Sequence, residues 1–143
     1  MQIPSEQDWG DYESDLDQEY AHRIFFGKNL EETIPAFERN VIERADELHF
    51  MPLKPFRYYM LGFRDYVMSE RVLKSDMVPD AASCFLGLVI LKLCDAADFI
   101  NPIMGELMPA IEYVAANQSR FDADIDIYGD FAEKLAEIKS LMI

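Results

Sequence analysis

Residues 81–97, AASCFLGLVILKLCDAA, are the longest nearly uncharged apolar run in the chain, interrupted only by Lys92 and ended by Asp95. A bilayer-spanning helix needs about 20 consecutive apolar residues, whereas shorter runs belong to buried core helices. Lys92 and the early stop place this run in the second class. A helix that is apolar on nearly every side must be covered on most sides by other elements. The stretch is therefore expected to be the central helix of a bundle, with the rest of the chain as its cover.

Immediately upstream, residues 55–73 read PFRYYMLGFRDYVMSERVL. Phe56, Tyr59, Met60, Phe63, Tyr66 and Val67 follow the i, i+3, i+4, i+7 spacing of one helix face. Arg57, Arg64 and Arg71 recur every seven residues on another face. Downstream, Asn101-Pro102 breaks the chain, because the residue before proline avoids the helical region. Ile103, Leu107, Ile111 and Val114 then mark a further helix, with Pro109 as a kink or restart. Phe131, Leu135, Ile138 and Met142 mark the last one.

Toward the N-terminus, Tyr12, Leu16, Tyr20 and Ile24 recur every four residues and Gly27 is a C-terminal stop. Leu30, Ile34, Phe37 and Val41 form the next stripe. Its helix is expected to start at an Asn29 cap or at Pro35, where a missing N–H costs nothing. Residues 43–54 are expected to be irregular, and residues 1–10 a polar lead-in. The one strand candidate is 124–128, where Ile125 and Ile127 alternate with acids. With no repeat and mostly short connections, the expected fold is all-α: a compact single-domain bundle (1–143) of about five to six helices around the 81–97 helix.

Half of the residues are hydrophobic, too many for a disordered chain, yet 27 acidic residues against 13 basic ones give a net charge of −14. Such a balance repels phosphate backbones, so nucleic acid is not an expected partner. No membrane segment is expected either. Cys84 and Cys94 lie ten residues apart, roughly 15 Å along one helix, beyond disulfide reach. The opening MQIPSEQDWG has neither the basic start nor the apolar core of a secretory signal. Free thiols without an export signal point to the cytoplasm.

Residues 122–133, DADIDIYGDFAE, place Asp122, Asp124, Asp126, Asp130 and Glu133 at positions 1, 3, 5, 9 and 12 of a twelve-residue loop. Over this segment alone the spacing resembles the calcium loop of the EF-hand family, a resemblance that implies cation binding by these carboxylates. Ile127 stands where that family has its turn glycine, and Gly129 where it has an aliphatic residue. The other reading is an acidic interhelical loop whose Ile125 and Ile127 enter the core. Glu19-x-x-His22 and Asp46-x-x-His49 supply only half of a di-iron bundle pattern. No nucleophile elbow, phosphate cradle or activated cysteine is present, so no catalytic residue and no metal or other cofactor is assigned.

What remains is charge. Asp8, Asp11, Asp15 and Glu19 line the approach to the first helix and its exposed side, a row suited to docking on a basic protein. The arginine stripe is expected to pair with carboxylates while its stems cover apolar surface. The expected function is a non-enzymatic interaction module presenting an acidic helical surface to a basic partner. A small bacterial immunity or inhibitor-type protein has the same physical properties. The alternatives are a metal-dependent protein using 122–133 and a homodimer held by leftover aromatic surface on the 56–67 helix.

Overall fold

Short polar residues set the helix starts. Asn29 accepts from the Glu32 N–H at 2.8 Å while its own N–H donates to the Glu32 carboxylate at 2.9 Å, a reciprocal capping box. Asn40 accepts from the Glu43 N–H and opens the next helix. In the computed structural model, which describes residues 1–142, ten α-helical segments result: α1 (Leu16–Phe25), α2 (Leu30–Arg39), α3 (Val41–Phe50), α4 (Leu53–Met68), α5 (Glu70–Leu73), α6 (Val78–Asp95), α7 (Ala97–Ile100), α8 (Met104–Ala116), α9 (Ile125–Tyr128) and α10 (Phe131–Leu141). Two 3-10 turns (Glu6–Trp9 and Tyr12–Ser14) precede α1, a third (Asn101–Ile103) joins α7 to α8, and no strand occurs among the described residues. The fold is an all-α bundle.

α6 lies amid α3, α4, α5, α7, α8 and α10. Ala81, Ala82, Phe85, Leu86, Leu88, Val89 and Leu93 are buried on it, as its composition requires. Its cover is incomplete, for Gly87, Leu91 and Cys94 reach solvent. α4 shares the centre and buries the larger side chains, Phe56, Tyr59, Met60, Phe63 and Tyr66. Ring contacts of 5.8, 5.0 and 5.3 Å run from Phe25 to Phe37, Phe63 and Phe85, linking α1, α2, α4 and α6. α2 and α4 approach closely at Gly62, where a Cβ would fall 2.7 Å from Thr33 Oγ1. A glycine is required there.

Several expectations are corrected. Residues 43–54 are not irregular: α3 fills most of them, because the Asn40 cap and the Val41, Ala45, Leu48 stripe together define a helix. α2 starts at Leu30 and not at Pro35, since the capping box fixes its first turn. The N-terminal segment is no free polar lead-in. Ser5 and Asp8 form a capping box, and Trp9 is fully buried against α4. Residues 125–128 form a helical turn rather than a strand. Ile125 and Ile127 stay 57% and 73% exposed and do not enter the core. Tyr128 packs against the core instead, its hydroxyl 3.3 Å from the Asp80 carboxylate.

Candidate functional site

The acidic row of the sequence is held by local bonds. Asp8 caps its own turn and lies 3.3 Å from Lys54 Nζ. Those bonds, the Ser5 N–H foremost, hold its carboxyl below the usual range. Asp15 caps α1 by accepting from the Asp17 and Gln18 N–H groups. Glu19 pairs with Arg23 at 3.3 Å. Asp11 is exposed and makes no side-chain cap bond. The four stand along one run of chain, three of them with intramolecular partners.

A second acidic surface lies on α3, which the structure shows as a ridge between two depressions. On one flank, Ile42, Ala45, Asp46 and His49 face Cys84, Gly87, Leu88 and Leu91 of α6 across an open groove of about 390 Å3, which Glu43 also lines. On the other, Glu43, Asp46, Glu47 and Phe50 meet Asp17 and Tyr20 of α1 around a smaller depression of about 210 Å3. Glu43 and Asp46 belong to both. No lysine or arginine lines either one.

The groove has an apolar floor and walls for a geometrical reason. Positions 42, 45, 49 on α3 and 84, 87, 88, 91 on α6 each follow the i, i+3, i+4, i+7 rule, so each helix turns one stripe toward the gap. Ile42 and Leu91 stand on its edges, 47% and 38% exposed. Ala45, Gly87 and Cys84 are too small to fill the space between.

Two buried charges lie at α3, one bonded within it and one tying it to α6. Arg44 is buried under the ridge and donates to both carboxylate oxygens of Glu47, at 2.6 and 2.9 Å, and to Glu43 at 3.3 Å. At the C-terminal end of α3, Lys92 of α6 donates to the His49 carbonyl at 2.8 Å between the rings of Phe56 and Phe99. Burial lowers the pKa of Lys92. His49 is pushed down as well, first by burial and then by the Lys92 charge, and its Nδ1 is buried without a hydrogen-bond partner. The neutral ring is the form this site favours. Burial raises the Cys84 thiol, with Asp80 adding to the effect. That keeps it protonated and a weak nucleophile.

The remaining sequence motifs are tied up in structure. His22 is stacked between Tyr12 and Phe26, with ring centroids at 3.8 and 4.6 Å, and its Nε2 lies 2.8 Å from Glu6, away from any second histidine pair. In 122–133, Asp124 caps α9 and Asp130 caps α10. Gln118 binds the segment together: its Nε2 donates to the Ala123 and Gly129 carbonyls at 3.0 and 2.8 Å, and its Oε1 accepts from the Phe131 N–H at 2.9 Å. Among the described residues no three His, Cys, Asp or Glu side chains converge as a metal site. The arginine stripe divides, with Arg64 and Arg71 pairing with Asp65 and Glu38 while Arg57 donates to the carbonyls of Asp98 and Phe99. No helix among the described residues is long and apolar enough to cross a membrane.

Comparison with protein-family models, with curated proteins and with solved structures gives no match.

The sequence points to the N-terminal acids for docking and to Asp46 and His49 only as half of a metal pattern; with residues 43–54 expected to be irregular, it does not place Ile42, Glu43, Asp46 and His49 on one helix. The signal that would have found them is Asn40-x-x-Glu43, a helix N-terminus pattern immediately before an apolar stripe.

Proposed function

We propose that this chain is a non-enzymatic interaction module that presents an acidic helical surface to a more basic protein. The observation that carries the reading is the α3 ridge, where Asp17, Glu43 and Asp46 surround exposed apolar side chains with no lysine or arginine among the lining groups. A net charge of −14 extends the same field over the molecule and speeds encounter with a positive surface. The buried charges are engaged, Arg44 with Glu47 and Lys92 with a backbone carbonyl, which suits a scaffold more than a reaction centre. The physical description is that of a small cytoplasmic immunity or inhibitor-type protein. Asp8, Asp11, Asp15 and Glu19 form the outer part of the same negative field.

Affinity capture from the source organism's lysate, washed at low and then high salt, tests the reading. It is supported by a basic protein retained in near-equal amount and released by salt, and refuted by an empty lane in both washes. With that partner in hand, association rates separate the two acidic regions. Asp11→Lys and Asp15→Asn, the latter keeping the α1 cap, remove charge from the N-terminal row. Glu43→Gln and Asp46→Asn remove it from the ridge. A fall in association rate confined to the second pair places the interface on α3.

A further inference from the structure

We infer that the groove between α3 and α6 is the seat of one amphipathic helix of the partner, with an apolar stripe that enters the groove and lysines or arginines that meet Glu43 and Asp46. The inference rests on the acidic-surface reading and deepens it. Both walls are helices that expose matching stripes over about two turns, roughly 10 Å, a length a third helix fills with residues at i, i+4 and i+7.

Gly87 is the most telling residue. It sits in the middle of α6, where glycine weakens a helix relative to alanine. Gly62 in α4 is explained by the contact with Thr33, but a Cβ at Gly87 would meet nothing within 4 Å. Packing within this chain gives no reason for it. What the missing side chain leaves is a deeper floor, between Cys84 and Leu91, into which an incoming side chain fits.

Charge selects the occupant. The rim carries Glu43 and Asp46. Of the neighbouring cations, Arg44 is buried and already shared between Glu47 and Glu43, Lys92 is turned to the His49 carbonyl, and Lys134, whose charge acts on Cys84, lies over the Phe131 ring. A second copy of the chain, itself of net charge −14, is repelled, as are anionic lipid and nucleic acid. A basic helix with an apolar face satisfies both the floor and the rim.

The test uses the full chain and a fluorescein-labelled synthetic Leu/Lys amphipathic helix. The comparison peptides are an isomer with the same composition but dispersed leucines, and a Leu/Glu counterpart. Anisotropy measures binding, and alkylation of Cys84 reports on the groove, with the exposed Cys94 as internal reference. The amphipathic Leu/Lys peptide is expected to bind at least about tenfold more tightly than its isomer, a difference of one decade in Kd. It should slow alkylation of Cys84 and leave Cys94 unchanged. Gly87→Leu, which fills the floor, and Asp46→Lys, which reverses the rim, should each weaken it by about tenfold or more.

Equal binding of the two Leu/Lys isomers without protection of Cys84 overturns the groove inference and leaves the acidic-surface reading standing. Failure of both to bind at low salt overturns that reading and the inference together. Equal binding of the Leu/Glu peptide overturns the charge rule for the occupant. Protection of Cys84 that grows with protein concentration, with no peptide present, gives the groove to a second copy and overturns the inference.

Discussion

Lys92 Nζ lies 2.8 Å from the carbonyl oxygen of His49, between the rings of Phe56 and Phe99. One buried ammonium thereby ties the middle of the bundle to the last turn of α3, where a helix presents unpaired carbonyls and a partial negative charge. The contact closes one end of the α3–α6 pair and holds the groove walls at their spacing. It also explains why the one lysine in the most apolar stretch of the chain is tolerated there.

Lys92→Met keeps the length of the side chain and removes the donor. The His49 carbonyl then loses its partner, which costs about 1–2 kcal/mol, part of it returned because no ammonium needs to be buried. Urea unfolding should show a lower midpoint with an unchanged slope.

The Arg44–Glu47 pair is buried, so breaking it differs from replacing it. Glu47→Ala leaves Arg44 with only the exposed Glu43 at 3.3 Å and should cost about 3 kcal/mol. The double change Arg44→Met with Glu47→Leu, apolar groups of similar volume, is expected to restore most of that loss. Calorimetry of the single and double variants reads the difference directly.

Acid should weaken the fold before its carboxylates titrate. The folded-state pKa of His49 is depressed, so the unfolded chain binds more protons in the window below its ordinary value of about 6.5. The stabilisation is complete above that pH and is lost as pH falls through the folded value. Lys92 faces the ring as the second cause, opposed by the weaker fields of Asp46 and Asp95. His49→Gln should flatten this part of the stability profile, measured as melting temperature against pH.

Gly87→Ala should stabilise the protein by about 0.8–1 kcal/mol, because the residue is helical and exposed and its new methyl group meets nothing. A rise in melting temperature confirms that the fold does not need this glycine. Gly62→Ala is the contrast, since its methyl group would press on Thr33 Oγ1, and it should destabilise.

Gln118→Ala removes three hydrogen bonds that hold residues 123–131 to the end of α8. At about 0.5–1.5 kcal/mol for each bond, a loss of about 2–3 kcal/mol is expected. Hydrogen exchange should quicken first at α9 and at the start of α10.

Much of this molecule was legible along the chain. The apolar run at 81–97 and the stripes through Phe56–Val67, Ile103–Val114 and Phe131–Ile138 mark helices because periodic burial leaves a periodic pattern. Asn29 announced a helix start through the chemistry of orphan N–H groups. Where reading failed, a local signal was outweighed. Pro52 and Pro55 drew attention from the Asn40 cap, and alternating isoleucines at 125 and 127 imitated a strand although a single helical turn holds them in solvent.

Composition and periodicity thus determined the all-α class, the faces of α4, α6, α8 and α10 and the sign of the surface charge, but not the face of α1, where Leu16 and Tyr20 stay exposed and Ala21 and Phe25 are buried instead. The tertiary structure decided what those residues do. Trp9 became a core residue against α4, and α3 a ridge beside the uncovered strip of α6. Such outcomes arise from contacts between segments distant in the chain, Lys92 with His49 and Cys84 with Ile42 across one groove. No local pattern records that proximity, because each helix satisfies its own periodicity whichever neighbour it meets.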